Sequence, residues 1–258
     1  MQTGAITSYI DVAQLTLYAF WIFFAGLIFY LRREDKREGY PLVSDRLGPQ
    51  LIEGVPPMPR AKVFHLADGS TRRAPREEAP ELPNLTPAAP WPGAPGQPSG
   101  NPLRDGVGPA AYAQRADVPD HAFDDGLPKI VPLRAVAEFF LATEDADPRG
   151  MSVLGTDGVV AGHVVDAWID RAETIVRYLE VELDPALGAG RVLLPMPFAV
   201  LRPGLGEIHV AALTGALFAE IPRLRDPDRV TLREEDRISA YYGGGMLYAT
   251  PARLGPVL

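Results

Sequence analysis

The chain has no cysteine in 258 residues, which excludes disulfides, thiol nucleophiles and thiolate metal sites. Histidine is scarce too. His65, His121, His163 and His209 are scattered, without the i, i+3 or i+4 pairing that lets one helix face hold a metal. The stretch GTDGVVAG (155–162) lacks the lysine and the glycine spacing of a phosphate-binding loop. No serine sits in a Gly-x-Ser-x-Gly elbow. These absences point away from an enzyme, and a hydrolase built on carboxylates would need a pocket that sequence does not reveal. Positive charge is in the minority, with 25 Lys and Arg against 33 Asp and Glu and a net charge of −8. A nucleic-acid partner is therefore disfavoured.

Charge is missing altogether from residues 12–31, VAQLTLYAFWIFFAGLIFYL. Twenty residues at ~1.5 Å rise make a helix of ~30 Å, the thickness of a bilayer's hydrocarbon core. A buried core helix is seldom apolar on all sides, and a signal peptide carries a basic n-region. Met1–Ile10 has no Lys or Arg, and the run ends in Tyr30-Leu31-Arg32-Arg33. The run predicts one uncleaved transmembrane helix. Asp11 stands at its N-cap, Tyr9 and Tyr30 lie near the two interfaces, and Ala19, Ala25 and Gly26 offer a face for another helix. Asp11 is the only charge before the run, whereas Arg32, Arg33, Lys36 and Arg37 follow it directly. The positive-inside rule puts the N-terminus outside and the bulk of the chain in the cytoplasm. The same basic cluster suits anionic lipid headgroups. Residues 1–37 hold four basic and three acidic side chains, which leaves −9 for the remainder.

Beyond the span the chain leaves the membrane through Gly39-Tyr40-Pro41. KVFHL (62–66) followed by Ala67-Asp68-Gly69-Ser70 predicts a strand and turn, with His65 as an ordinary strand residue. Nine prolines and five glycines fall between Pro80 and Pro109. That density prevents a helix or a ladder and leaves a disordered linker or an extended strap over a partner's surface, with Trp91 and Ala110-Ala111-Tyr112 as apolar handles. From about Leu127 the pattern becomes short strands with Gly and Pro between them: 129–142, SVLGTDG ending at 158, 159–170, 174–183, 191–201 and 207–214. Leu179, Val181 and Leu183 alternate with Tyr178, Glu180 and Glu182. This predicts a small antiparallel barrel or sandwich. Thr231-Leu232-Arg233-Glu234 forms a capping box, and Gly243–Gly245 a stop, for one C-terminal helix over 231–242. The expected organisation is an outer N-terminus (1–11), a span (12–31), a membrane-proximal segment (32–78), a proline-rich stretch (79–126) and a mainly-β domain (127–258).

What remains for chemistry is carboxylates. Asp170 and Glu173 flank a turn, with Asp166 before it and Arg177, Glu180 and Glu182 after it. Asp120, His121, Asp124 and Asp125 precede the β domain. A solvated acidic rim is one reading. A proton-collecting surface is the other, because crowded carboxylates hold protons near neutral pH.

Long strings in the chain resemble the H subunit of the purple-bacterial photosynthetic reaction centre: REDKREGYPL (33–42), GNPLRDGVGPAAY (100–112), VAGHVVDAWIDRAETIVRYLEVEL (160–183) and EEDRISAYYGGGMLYA (234–249). The resemblance covers nearly the whole chain and is least defined over 79–99. It implies a single-pass subunit of the bacterial intracytoplasmic membrane, its N-terminus periplasmic and its cytoplasmic domain a PRC-type barrel of the kind shared with ribosome-maturation proteins. That domain would cap the L and M subunits and shield the quinone pockets. The chain itself would ligate no pigment or metal, while its partners carry bacteriochlorophyll, bacteriopheophytin, quinones and non-haem iron. A light-harvesting antenna and a cytochrome subunit are further partners of such complexes. Protons would reach the secondary quinone by way of this subunit. Asp170 and Glu173 match the family's proton-transfer carboxylates, and Arg177 its nearby arginine. The family's His-x-His pair before the Lys-Ile-x-Pro segment is replaced here by Asp124-Asp125-Gly126-Leu127-Pro128, with His121, Asp124 and Asp125 as candidate substitutes. Tyr30, Arg32 and Arg33 are candidate headgroup contacts, cardiolipin being the lipid that charge and resemblance imply. The rival reading is a single-span adaptor or assembly factor that docks a cytoplasmic protein with the same barrel.

Overall fold

The computed structural model describes residues 4, 6–7, 10–40, 42–44, 50–74, 84–91 and 94–254. Tyr9, Pro41 and the 79–83 and 92–93 parts of the proline-rich stretch lie outside the described residues. The chain divides into two units, one of residues 1–83 and 87–96, the other of 84–86 and 97–258.

The first unit starts with α1 (Val12–Asp35), long and apolar enough to cross a membrane, with none of its residues buried. Asp11 Oδ1 accepts the Gln14 N–H at 2.7 Å and Gln14 Oε1 accepts the Asp11 N–H at 3.3 Å, so the start is closed from both sides. The helix runs four residues past the apolar stretch. Its last turn is polar but holds Arg32 and Arg33, which complement the carbonyl end. The two basic residues that follow are engaged by carbonyls of this same unit. Lys36 is buried and its Nζ donates to the Glu53 and Pro56 carbonyls. Arg37 donates to the Arg60 and Ala74 carbonyls at 2.8 Å each and pairs with Glu34. Two hairpins complete the unit: β1 (Leu42–Ser44) with β2 (Gln50–Ile52), and β3 (Lys62–His65) with β4 (Thr71–Ala74). The expected turn closes the second. Gly69 has φ +80°, and the Asp68 carboxylate accepts the Ser70 N–H. His65 is an exposed strand residue.

The proline-rich stretch contains more structure than its composition predicts. A short ladder, β5 (Leu85–Pro87) with β6 (Gly96–Pro98), forms around its prolines, with the Ser99 N–H donating to the Asn84 carbonyl at 2.9 Å. The one-turn helix α2 (Pro102–Asp105) follows, capped by Asn101. Residues 101–120 then lie along this chain's own C-terminal helix, so the strap has an intramolecular seat.

The second unit is built on one seven-stranded sheet. Its strands are β7 (Ile130–Pro132), β8 (Ser152–Leu154), β9 (Val160–Asp170), β10 (Ile175–Leu183), β11 (Arg191–Pro195), β12 (Val200–Arg202) and β13 (Glu207–His209). The order is β11-β10-β9-β8-β13-β12, with β7 paired to the end of β9. Two expectations are corrected here. The β8–β13 pair is parallel, and β11 and β12 are free ends, so the sheet stays open. The chain between β8 and β13, which carries β9 to β12, is long enough for a parallel return, which a single tight hairpin would not allow. The core holds Trp168, Leu179, Val181, Leu193, Leu194, Ile208, Phe218, Ile238 and Tyr242.

Helix α3 (Leu232–Tyr248) covers this core. Its capping box is as predicted: Thr231 Oγ1 accepts the Glu234 N–H and Glu234 Oε2 accepts the Thr231 N–H. The predicted stop at Gly243–Gly245 is wrong, and the helix continues to Tyr248. The glycines serve close packing. A Cβ on Gly244 would stand 2.5 Å from Ala110 Cβ and 2.9 Å from Leu103 Cδ2, and one on Gly245 would stand 2.5 Å from the Ala212 carbonyl oxygen. Polar fasteners hold the strap on the same helix: the Ala113 N–H donates to Asp236, Arg233 Nε to the Arg115 carbonyl, and Thr231 Oγ1 to Asp117.

A matched pair of substitutions separates packing from helix propensity. Gly244→Ala should destabilise the chain by about 1–3 kcal/mol, because the added methyl overfills a closed contact. Gly243→Ala, whose Cβ would meet only the Pro109 oxygen at 3.5 Å, should be neutral or gain up to ~1 kcal/mol from alanine's helix preference. Thermal melts of the two full-length variants, read with the rate of proteolysis in 101–120, check this. Equal midpoints would refute the packing role.

Candidate functional site

Asp170 is the last residue of β9 and lies between Ile130 of β7 and Ile175 of β10. Its side chain shapes the turn that follows. Oδ1 accepts the N–H groups of Ala172 and Glu173 at 3.0 Å each, and its carbonyl accepts the Thr174 N–H at 2.8 Å. Thr174 closes the turn at φ +56°, a left-handed conformation that a β-branched residue adopts only under constraint. The turn thereby presents Glu173 to solvent, 54% exposed, above a fully buried Asp170.

The second oxygen of Asp170 accepts no hydrogen bond. It faces two cations, Lys129 Nζ at 3.4 Å and Arg177 Nε at 3.9 Å. Lys129 also reaches Glu173 Oε1 at 3.4 Å and so bridges the buried carboxylate and the exposed one. Desolvation pulls the Lys129 ammonium down, but Asp170 and Glu173 outweigh it and hold the group above the ordinary lysine value. Arg177 is aimed by an irregularity in the ladder, where the β9–β10 register shifts between Val176 and Tyr178.

The loop before β7 abuts the same turn. Arg171 pairs with the Asp125 carboxylate and donates to the Pro128 carbonyl, while its N–H donates to the Lys129 carbonyl at 2.9 Å. The Arg171 guanidinium holds the Asp125 carboxyl below the usual carboxylate range, helped by the Leu127 N–H. His121 bridges to Pro128 through its backbone, and the side chains of His121 and Asp124 are exposed.

Of the residues picked from sequence, Asp170, Glu173 and Arg177 are thus drawn together, and Asp125 is tied to their turn. Lys129 and Arg171 were missed. The sequence signal for them was weak, two single basic residues set among the carboxylates from Asp125 to Glu173. The acidic rim is corrected in part. Asp166 and Glu180 are buried, and Arg134 Nη1 pairs with both. Glu180 also accepts from Trp168 Nε1 at 3.0 Å and from Arg191 at 3.1 Å. Alternation marked Glu180 as outward, but at this position Arg134 and Arg191 cover the carboxylate. A cavity of about 730 Å³ is lined in part by Arg134, Phe139, Phe140, Asp147, Arg149 and Asp166. Arginines engage two of its acids, Arg149 on Asp147 and Arg134 on Asp166. Among the described residues no group of three or more His, Asp or Glu could hold a metal.

Comparison with protein-family models gives two matches. The photosynthetic reaction centre H-chain N-terminal region matches residues 4–135, more than half of the chain. The chain belongs to the reaction-centre H-chain family. The PRC-barrel domain matches residues 143–217, which span β8 to β13 and the turn carrying Asp170 and Glu173. Membership makes the chain an H subunit, associated at a membrane with the reaction centre's L and M subunits, and it agrees with a structural subunit that leaves pigments to its partners.

The buried charge of this H chain sets a stability test. Lys129→Met should cost roughly 3 kcal/mol, at the low end for an uncovered buried ion because Arg177 remains. Asp170→Asn removes the charge that Lys129 answers. The double variant should therefore lose clearly less than the sum of the singles in denaturant melts. Strict additivity would show that the two groups do not interact.

Proposed function

We propose that this H subunit caps the cytoplasmic side of the L and M subunits, shields the quinone pockets and delivers protons to the secondary quinone during light-driven electron transfer. The observation that carries the proposal is the Asp170–Lys129–Glu173 cluster, a fixed buried charge beneath an exposed carboxylate. Negative charge arriving on a quinone draws protons toward it. Glu173 takes protons from water at the tip of a rigid turn, and Asp170, Lys129 and Arg177 set the local field that governs their release. Orientation follows from the basic residues after α1, with the N-terminus periplasmic. Exposed Tyr30 and Arg32, with Arg33 beside them, are the headgroup contacts, since Lys36 and Arg37 are engaged by backbone carbonyls.

At the surface, protons enter through Asp124 and His121. Asp125 is engaged by the Arg171 guanidinium and the Leu127 N–H, so its part is to fix the loop.

Glu173→Gln should slow proton-coupled second-electron transfer by roughly tenfold or more and leave initial charge separation unchanged. Flash spectroscopy of the assembled complex separates the two steps, and wild-type rates for both would remove Glu173 from the route. Proton uptake gives a second measurement. Asp124→Asn alone should slow it as much as Asp124→Asn with Asp125→Asn, whereas Asp125→Asn alone should leave it near wild type. Full uptake in the double variant would eliminate this entrance.

A further inference from the structure

The hairpin of β5 and β6 has no role in the account so far, and its composition is unlike its surroundings. No charged residue stands between Glu81 and Arg104, a gap longer than the charge-free run of residues 12–31. The chain after residue 37 carries a net −9, and this stretch contributes none of it. The tip, residues 87–96, belongs to the unit that holds α1, whereas the base of the hairpin belongs to the other.

The tip is closed by its own backbone. The Ala88 N–H donates to the Pro95 carbonyl at 2.8 Å, and the Ala94 N–H donates to the Trp91 carbonyl at 3.2 Å. Pro87, Pro90 and Pro95 have no N–H to leave unpaired. Trp91 stands at this turn and is 61% exposed. Tryptophan settles at headgroup level in a bilayer, its ring in the apolar boundary and its indole N–H toward water. A segment entering that layer must bring little negative charge against an anionic surface and few unpaired backbone donors. The hairpin meets both demands, while the acidic remainder of the chain does not meet the first. An added protein strand is a poorer occupant. Pro87 and Pro98 end the two strands, and proline cannot extend a ladder.

We infer that the β5–β6 tip is a second membrane contact of this subunit, with Trp91 seated in the headgroup layer of the bilayer that α1 crosses. A single helix anchors its unit at one point and leaves it free to turn about the helix axis. A second contact within the same unit stops that rotation. The inference needs the membrane span and is independent of proton delivery.

The absence of cysteine allows a test by single-site labelling. A nitroxide is placed on Ala94→Cys and, as reference, on Ala189→Cys in the exposed β10–β11 loop of the second unit. The labelled full chain is joined to its partner subunits in nanodiscs of phosphatidylcholine and phosphatidylglycerol. Electron paramagnetic resonance then compares how each label is relaxed by oxygen, which concentrates in the bilayer, and by a water-soluble nickel chelate. The oxygen-to-nickel ratio should be severalfold higher at residue 94 than at residue 189. Trp91→Phe should keep that difference, and Trp91→Ser should lower the ratio toward the reference. Equal ratios at the two positions would place the tip in water and overturn the inference. Exclusion of both reagents from residue 94 would place the tip under a protein surface and overturn it as well. A high ratio that Trp91→Ser leaves unchanged would remove Trp91 as the anchor.

Discussion

The end of the sheet that carries the site is governed by one unfavourable act, the complete burial of the Asp170 carboxylate. An ion removed from water costs several kcal/mol unless charges and donors around it replace the lost hydration. Each neighbour of Asp170 answers that demand. The turn contributes two N–H groups to one oxygen, and Lys129 and Arg177 contribute positive charge to the other. These needs fix the order of the local elements. β7 must enter beside β9 to deliver Lys129, and the β10 ladder must slip at Arg177 to aim its side chain. The left-handed Thr174 is the residual strain of closing so tight a turn.

A second constraint acts where helix α3 packs. Helix α3 reaches the sheet and the strap together only because Gly244 and Gly245 have no side chains. Glycine lowers helix propensity by ~1 kcal/mol per residue. The contacts with Leu103, Ala110 and Leu213 compensate, helped by a sound cap at Thr231. The charged residues of the strap then add direction. Asp117 takes Arg225 and Arg233 while Arg104 takes Glu220, which sets the path of an otherwise irregular segment across the unit.

Legibility in the sequence follows the range of the forces involved. The apolar helix, its Asp11 cap, the Asp68-Gly69 turn and the Thr231 capping box are decided within a few residues, and all could be read in advance. The open sheet and its parallel β8–β13 pair depend on contacts more than fifty residues apart, and no local pattern reports them. Gly243–Gly245 was misread because a glycine run is locally a stop and only tertiary packing makes it a contact surface. Glu180 was misread for a similar reason. Alternation tells which face a residue takes, not whether Arg134 and Arg191 wait there. At the site, Asp170, Glu173 and Arg177 were found by resemblance. Lys129 and Arg171 escaped notice because a single basic residue in an acidic neighbourhood looks like ordinary surface balance.

Exposure across the cluster rises in a definite order, from Asp170 at 0% through Lys129 at 22% to Glu173 at 54%. A group that hands protons between water and an interior must sit where its charged and neutral forms are close in free energy, and neither full burial nor full hydration meets that condition alone. The gradient reconciles the two. The innermost charge is held by partners that are themselves fixed, so it supplies a constant field. The outermost carboxylate stays hydrated, yet shares Lys129 and so feels that field. Moving Asp170 outward would screen the field. Moving Glu173 inward would require a further cation. The turn between β9 and β10 is four residues long, 171–174, and in the proposed proton delivery that short reach is what would let the interior charge bias a proton at the surface.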